Sequence, residues 1–138
     1  MRRLLMLVWF LACSVPTVPG GLLELKSMIQ EVTGKSALRS YGFYGCYCGW
    51  GGRGTPVDRT DWCCWQHDQC YGDLQEAGCR IWTQSYRYRV QRGEVTCGHG
   101  TRCQTQLCAC DQKFVYCLKR NLWSYNPRYQ YHYNFLCR

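Results

Sequence analysis

Thirteen cysteines in a chain of 138 residues constrain this fold more than any other feature of its sequence. One of them, Cys13, lies in an N-terminal segment that we expect to be removed on export, which leaves twelve. An even number of cysteines in an oxidising compartment predicts disulfides, here six. Zinc bound by Cys64 and His67 is the alternative, but exported thiols usually oxidise, and paired C-x-x-C knuckles do not occur in this sequence.

The first twenty residues, "MRRLLMLVWFLACSVPTVPG", have the pattern of a secretory signal peptide. Two arginines precede an apolar run from Leu4 to Ala12, and small residues and prolines follow it. The run is shorter than the roughly 20 residues that a membrane-spanning helix needs. We therefore expect a secreted, extracellular, monomeric protein in which residues 21–138 form one domain.

The expected mature chain is moderately basic. Without Arg2 and Arg3 it has 15 basic and 9 acidic residues, a net charge of +6 with neutral histidines. This charge favours anionic surfaces as partners, although the basic residues are scattered and also serve ordinary solubility. No zinc-finger, helix-turn-helix or RNP pattern occurs, so we do not expect nucleic acid as a partner.

Periodic apolar residues and capping signals predict three helices. A short amphipathic helix is expected in "LLELKSMIQEV", and a longer one from about Asp58 to Ala77, with Asp58 or Thr60 as N-cap candidates and Gly78 as the stop. The stretch "QTQLCACDQKFVYCLKRN" predicts another long helix. The apolar stripe of the first helix consists of Leu22, Leu25, Met28, Ile29 and Val32, and that of the last consists of Leu107, Cys110, Phe114, Cys117 and Leu118.

The remaining segments predict loops and one hairpin. The glycine density of "YGFYGCYCGWGGRGTP" is expected to exclude a regular helix or strand through Gly54. The segment "SYRYRVQRGEVTC" alternates tyrosine with arginine and turns around Arg92 and Gly93, which predicts a small β-hairpin. We expect the tail, residues 122–138, to be mostly irregular because Pro127 interrupts it. The expected fold is thus mainly α and disulfide-rich.

Three motifs, taken together and in this order, resemble those of the secreted phospholipase A2 family. The segment "CCWQHDQC" fits the family's histidine signature C-C-x-x-H-x-x-C, and "LCACDQKFVYC" fits its aspartate signature. The segment "YCGWGG", residues 47–52, is similar to the family's calcium loop, and we call it the glycine loop. Twelve cysteines without an extra pair or a C-terminal extension resemble the family's group V branch.

The resemblance implies how the cysteines pair. Two implied disulfides, Cys63–Cys117 and Cys70–Cys110, join the two long helices. Going along the first helix from Cys63 to Cys70, the bonded partner moves back by the same seven residues along the second, which means that the helices run antiparallel. In that register His67 and Asp111 are offset by two residues, or about 3 Å, so the carboxylate can reach the imidazole. The other implied pairs are Cys46–Cys137, Cys48–Cys64, Cys79–Cys103 and Cys97–Cys108.

The resemblance also implies a catalytic centre. His67 would be the general base that removes a proton from an attacking water, and Asp111 would fix its tautomer and stabilise the imidazolium. The backbone amide of Gly49 would complete the oxyanion site. No G-x-S-x-G elbow occurs, which favours direct attack by water over an acyl-enzyme. Taken alone, His67 could be a buried structural histidine and Asp111 a helix-surface carboxylate.

A calcium site is implied next to the general base. His67 and Asp68 are consecutive and point about 100° apart on a helix, so they can serve two neighbouring centres. By resemblance Asp68 supplies both carboxylate oxygens, and the backbone carbonyls of Tyr47, Gly49 and Gly51 add to them with water. An EF-hand is excluded because no D-x-D-x-D-G pattern occurs.

Supporting residues are implied in two further places. Tyr71 and Tyr86 would donate hydrogen bonds to the catalytic aspartate, although they could equally be tyrosines that pack a small core. Three residues of the first helix would line the channel for the acyl chains, or form an ordinary core face. These are Leu22, Leu25 and Ile29.

Trp50 stands between two glycines in the glycine loop. A large ring in this position has little local core to fill, so we expect the indole to project into the membrane interface. A tryptophan folded back onto the loop is the alternative.

We therefore expect a secreted, calcium-dependent phospholipase A2 that hydrolyses the sn-2 ester of glycerophospholipids at membrane interfaces. The expected partner is the phospholipid surface, with heparan sulfate proteoglycans or a cell-surface receptor as further candidates. A non-catalytic cationic ligand of receptors, proteoglycans or bacterial surfaces is a second class, which lysine at the position of Asp68 often marks in this family. A purely structural disulfide module is a third, and it would need no His-Asp pair.

Overall fold

The computed structural model of the chain describes residues 20–49 and 51–138. Residues 1–19 of the expected signal peptide and Trp50 lie outside the described residues. No helix in the described part is both long and apolar enough to cross a membrane.

Helix α1 (Gly20–Thr33) presents its predicted apolar stripe to the interior and packs against helix α3 (Arg102–Arg120). It ends at Gly34, whose φ of 77° lies in the left-handed region that glycine adopts most easily. The amphipathic helix is confirmed. In its stripe Met28, Ile29 and Val32 are buried, and Leu22 and Leu25 are half-buried.

Helices α2 (Arg59–Glu76) and α3 form the centre of the fold. The Asp58 side chain caps α2 by accepting a hydrogen bond from the backbone N–H of Asp61, at 2.8 Å. At the other end Gly78, with φ at 93°, turns the chain away. Two disulfides join the helices, at Cys63–Cys117 and Cys70–Cys110. The residue number increases from Cys63 to Cys70 along α2, while that of the bonded partner decreases from Cys117 to Cys110 along α3. The two helices are therefore antiparallel, as expected.

The predicted hairpin is present as β3 (Tyr88–Gln91) and β4 (Glu94–Cys97), which pair antiparallel. Its two turn residues, Arg92 and Gly93, have φ values of 53° and 78°. Positive φ at both central residues is the geometry of a tight turn whose twist matches that of the strands it joins.

The glycine-rich segment contains a short ladder that the sequence analysis excluded. Strands β1 (Phe43–Tyr44) and β2 (Cys48–Gly49) pair antiparallel, so the expectation of no strand through Gly54 was wrong at these four residues. The reason is tertiary: Gly45 turns the chain with φ at 59°, and a carboxylate from α2 binds the amides of that turn. A five-residue π-helical turn, Ala37–Tyr41, precedes the ladder.

The tail is mostly irregular, as predicted, with three short 3-10 turns and a single bridge from Gln130 to Tyr44. It is held to the rest of the molecule by a disulfide between Cys137 and Cys46. All six disulfides that the resemblance implied are present in the structure, and the predicted fold class is confirmed. The other three join Cys48 to Cys64, Cys79 to Cys103, and Cys97 to Cys108.

Candidate active site

Helices α2 and α3 bring His67 and Asp111 into direct contact. The His67 Nε2 and Asp111 Oδ1 atoms are 2.7 Å apart, and the side chains are 8% and 0% exposed. An ionised carboxylate can only accept hydrogen bonds, so Nε2 carries a proton, and in the neutral imidazole Nδ1 then keeps its lone pair. The pair therefore presents a base of defined tautomer.

Two tyrosines complete the hydrogen bonding of the buried carboxylate. The Tyr71 hydroxyl donates to Asp111 Oδ1 and the Tyr86 hydroxyl donates to Oδ2, each at 2.5 Å. Burial, together with the negative charge of Asp111, raises the pKa of both tyrosines, so they remain proton donors at neutral pH. Both contacts are those that the resemblance implied.

Ring contacts fix the plane of the imidazole. Phe114 stacks on His67 with ring centroids 4.1 Å apart and planes inclined by 19°, and Tyr71 lies against the ring at the same distance. In the sequence, Phe114 is recognisable only as part of the apolar stripe of its helix. Because its contact with His67 crosses between two helices, no local signal in the sequence points to it.

The backbone of the glycine loop needs glycine at three positions. Gly49, Gly51 and Gly52 have φ values of 101°, 90° and 147°, which other residues rarely adopt. A Cβ at Gly49 would lie 1.8 Å from the carbonyl oxygen of Gly42, and one at Gly52 would lie 3.7 Å from Asp68 Oδ2. The structure thus places the Asp68 carboxylate alongside the glycine loop.

The Asp68 carboxylate lacks a partner within the described residues. It is half-buried, and no hydrogen bond or ion pair reaches it from this part of the chain. Burial, and secondarily the charge of Asp61, raises its pKa to about 7. A carboxylate held in this way beside a loop of backbone carbonyls fits the oxygen donor set of a hard divalent cation such as calcium.

Asp61 is a residue of this site that the sequence analysis missed. It is fully buried and accepts hydrogen bonds from the backbone N–H groups of Cys46, Tyr47 and Val57, at 2.8, 2.8 and 2.9 Å. A Cβ at Gly45 would lie 2.5 Å from this carboxylate, so the turn needs glycine there. Asp61 therefore holds the start of the glycine loop against α2. Its partners are backbone amides, which leave no trace in the sequence.

Two further groups of residues lie near the site, the apolar face of α1 and a set of cysteines. Ile29 is buried, while Leu22 and Leu25 are half-buried on the same face of α1, so a channel role for them stays a prediction. The zinc alternative is excluded because the Cys64 sulfur is bonded to that of Cys48. A cluster of Cys46, His132 and Cys137 offers no thiolate to a metal either, since its cysteines are bonded to each other.

Comparison with known proteins agrees with this geometry. A family model described as phospholipase A2 matches residues 22–130. The chain is 71% identical over 137 residues to human phospholipase A2 group V, covering 99% of each chain. It is 69% identical to the mouse group V protein over 137 residues, 99% of this chain and all of the relative. It is also 47% identical over 131 residues to the basic phospholipase A2 vurtoxin of Vipera renardi, 95% of this chain and 94% of the toxin. The chain belongs to the phospholipase A2 family, and its expected likeness to group V is confirmed.

Proposed function

We propose that this phospholipase A2 is secreted and hydrolyses the sn-2 ester of glycerophospholipids at membrane surfaces, using His67 as base and calcium as cofactor. The observation that carries the proposal is the buried contact between His67 and Asp111, which leaves Nδ1 free to accept a proton.

The proposed reaction follows from the state of the imidazole. A water oxygen attacks the sn-2 carbonyl carbon while its proton moves to His67 Nδ1, and Asp111 stabilises the imidazolium that forms. The Gly49 N–H donates a hydrogen bond to the developing oxyanion. The ester C–O bond then breaks, and the imidazolium returns its proton to the glycerol oxygen. The products are a free fatty acid and a lysophospholipid.

Calcium fits the residues beside the base. We assign the Asp68 carboxylate and the backbone carbonyls of Tyr47, Gly49 and Gly51 as its ligands, because carboxylates and carbonyls are the donors that calcium prefers. When bound, the ion polarises the ester carbonyl and neutralises the phosphate of the substrate. Asp68 is half-buried and has no hydrogen bond or ion pair with any residue that the structure describes, which supports this assignment, since a cation would remove the cost of burying its charge.

The test distinguishes the role of His67 as base from the role of Asp68 as metal ligand. We expect hydrolysis of phosphatidylcholine by the full chain to stop in chelator and to return with calcium. His67→Gln should lower kcat by about 10²–10⁴-fold and keep calcium binding, because a base typically contributes that much. Asp68→Lys should abolish both activity and calcium binding. Full activity in chelator, or undiminished turnover by His67→Gln, would overturn the mechanism.

The export signal and the domain boundary are part of the proposal. Cleavage after Gly20 would leave residues 21–138 as the mature, monomeric enzyme, with Leu22, Leu25 and Ile29 lining the acyl channel. N-terminal sequencing of the protein from the culture medium of expressing cells should read GLLEL, as in the sequence from Gly21.

A cationic cleft supports heparan sulfate as a further partner. The cleft has a volume of about 480 Å³, and Arg92, Lys119 and Arg120 contribute to its lining. Glu31 is the acidic residue among its lining residues. Salt-dependent retention on heparin that falls in the Lys119→Ala, Arg120→Ala variant would support this partner, and unchanged retention would remove it. No observation favours the non-catalytic cationic ligand.

A further inference from the structure

Phe114 and His67 lie opposite each other between the two helices that carry the catalytic pair. His67 lies four residues after one α2 cysteine and three before the next, and Phe114 stands in the same relation to two cysteines of α3. These cysteines form the disulfides Cys63–Cys117 and Cys70–Cys110, one on each side of the two rings. The ring centroids are 4.1 Å apart, and both side chains are buried.

The hydrogen bond to Asp111 leaves one motion of the His67 imidazole weakly restrained. The ring of a histidine turns about its Cβ–Cγ bond in a broad energy well. Nε2 lies close to that axis on the far side of the ring, so its bond to Asp111 changes little when the ring turns. Nδ1 lies farther from the axis and moves more. A second contact is therefore needed to fix the direction of Nδ1.

Phe114 provides this second contact. Its plane is inclined by 19° to that of the imidazole, whereas Tyr71, at the same centroid distance, is inclined by 49°. Protein interiors are closely packed, so the imidazole cannot turn against a nearly parallel ring without displacing it. The stacked ring thus restrains the rotation that the hydrogen bond leaves weakly restrained.

The position of Phe114 does not depend on the imidazole. Phe114 lies about one turn after Asp111 on α3, and Tyr71 lies about one turn after His67 on α2. The Tyr71 hydroxyl donates to Asp111, while the Phe114 ring stacks on His67. Each helix therefore supplies one member of the catalytic pair and one ring that contacts the member on the other helix.

We propose that Phe114 is a positioning residue, whose stacked ring directs Nδ1 of His67 toward the attacking water. This inference rests on the proposed function, because it concerns the atom that takes the proton in that reaction. Phe114 acts through the imidazole and not on the substrate. Loss of the flat ring should therefore slow the chemical step and leave substrate binding unchanged.

Steady-state kinetics on a short-chain phosphatidylcholine, kept below the concentration at which it aggregates, test the proposal without a lipid surface. In saturating calcium, Phe114→Leu should lower kcat about tenfold, because a misplacement of about 1 Å can cost about 10²-fold in rate. KM should stay within about twofold, since no contact with substrate is removed. Phe114→Tyr keeps the flat ring and should keep kcat within about twofold of the parent.

Val115→Ala is the matched control for a loosened core. Val115 is fully buried on α3, and as the next residue it points about 100° away from Phe114 around the helix. This variant should keep kcat within about twofold, because it removes core volume but no ring from the imidazole. Melting temperatures of all variants show that they are folded.

A measurement by NMR tests the same contact apart from activity. In chelator, the exchange of the His67 Nε2 proton with water reports how often the imidazole leaves its position. We expect exchange to be about tenfold faster in Phe114→Leu than in the parent, and unchanged in Phe114→Tyr.

Three results would contradict the inference. Phe114→Leu could keep the kcat and the proton exchange of the parent. Val115→Ala or Phe114→Tyr could lose as much kcat as Phe114→Leu, which would make the loss a general effect of the core. Phe114→Leu could also raise KM at unchanged kcat, which would place the ring in substrate binding. Failure of the proposed function is distinct, because the parent itself would then not hydrolyse the ester.

Discussion

At the scale of single residues, the buried carboxylates of the site differ in the groups that they bind. Asp111 accepts hydrogen bonds from one imidazole and two phenols, whereas Asp61 accepts them from three backbone amides. The first arrangement controls a proton, and the second controls the path of a loop. Asp68, which is half-buried, accepts no hydrogen bond from the described residues, and we propose that it binds a cation.

Asp61→Asn should destabilise the fold and weaken calcium binding. The amide keeps one acceptor oxygen but turns an NH₂ group toward backbone donors, so we expect a loss of about 2–3 kcal/mol in the free energy of unfolding. Denaturant unfolding and calorimetric calcium titration measure the two effects. Asp73→Asn is the control, because Asp73 lies exposed on the same helix. Equal behaviour of the two variants would show that Asp61 does not hold the loop.

Trp50→Ala should weaken binding and hydrolysis on phosphatidylcholine vesicles more than on anionic ones. Zwitterionic surfaces depend on aromatic contacts, whereas anionic surfaces also attract lysine and arginine. Turnover of a dispersed monomeric substrate should change little, because it needs no interface. Equal losses on all three substrates would mean that Trp50 shapes the glycine loop instead of contacting lipid.

At the scale of elements, disulfides set the geometry of the α2–α3 pair. Cys63–Cys117 closes a separation of 54 residues, while Cys97–Cys108 closes one of 11. His67 lies between the two disulfides that join these helices, so covalent bonds on either side of it hold it in contact with Asp111.

Replacing both cysteines of Cys63–Cys117 by alanine should cost more stability than the same change at Cys97–Cys108. The entropy that a disulfide removes from the unfolded chain grows with the logarithm of loop length, which makes the difference about 1.4 kcal/mol. Denaturant unfolding of the two variants, each with five disulfides intact, measures it. A larger loss at Cys97–Cys108 would show that packing around the bond, and not loop length, decides its contribution.

At the scale of the whole molecule, calcium should couple folding to activity. The proposed ligands come from the glycine loop and from α2, so only the folded chain brings them together. Binding that is confined to the folded state stabilises it by mass action.

Calcium should therefore raise the free energy of unfolding by about 2.7 kcal/mol when its concentration is 100 times the Kd. Thermal unfolding in chelator and in increasing calcium measures the shift. Asp68→Lys should remove the dependence on calcium, whereas His67→Gln should keep it. A melting temperature of the parent that does not respond to calcium would contradict the assigned ligands.

The amino-acid sequence by itself determined the three helices, the hairpin turn and the residue types of the site. Helical periodicity, capping residues and a turn at Arg92 and Gly93 are local signals, so they survive in a linear chain. The pairing of His67 with Asp111 was also predicted, because the resemblance supplied disulfides that set the helix register.

Only the tertiary structure decided which groups surround that pair. The β1–β2 ladder, the three amides bound by Asp61 and the Phe114 ring on His67 all join segments that are distant in the chain. Backbone amides carry no sequence identity, and a ring in an apolar stripe looks the same whether it contacts a core residue or a catalytic one. The attachment of the tail to the glycine loop likewise exists only once the Cys46–Cys137 bond has formed, because 91 residues separate its ends.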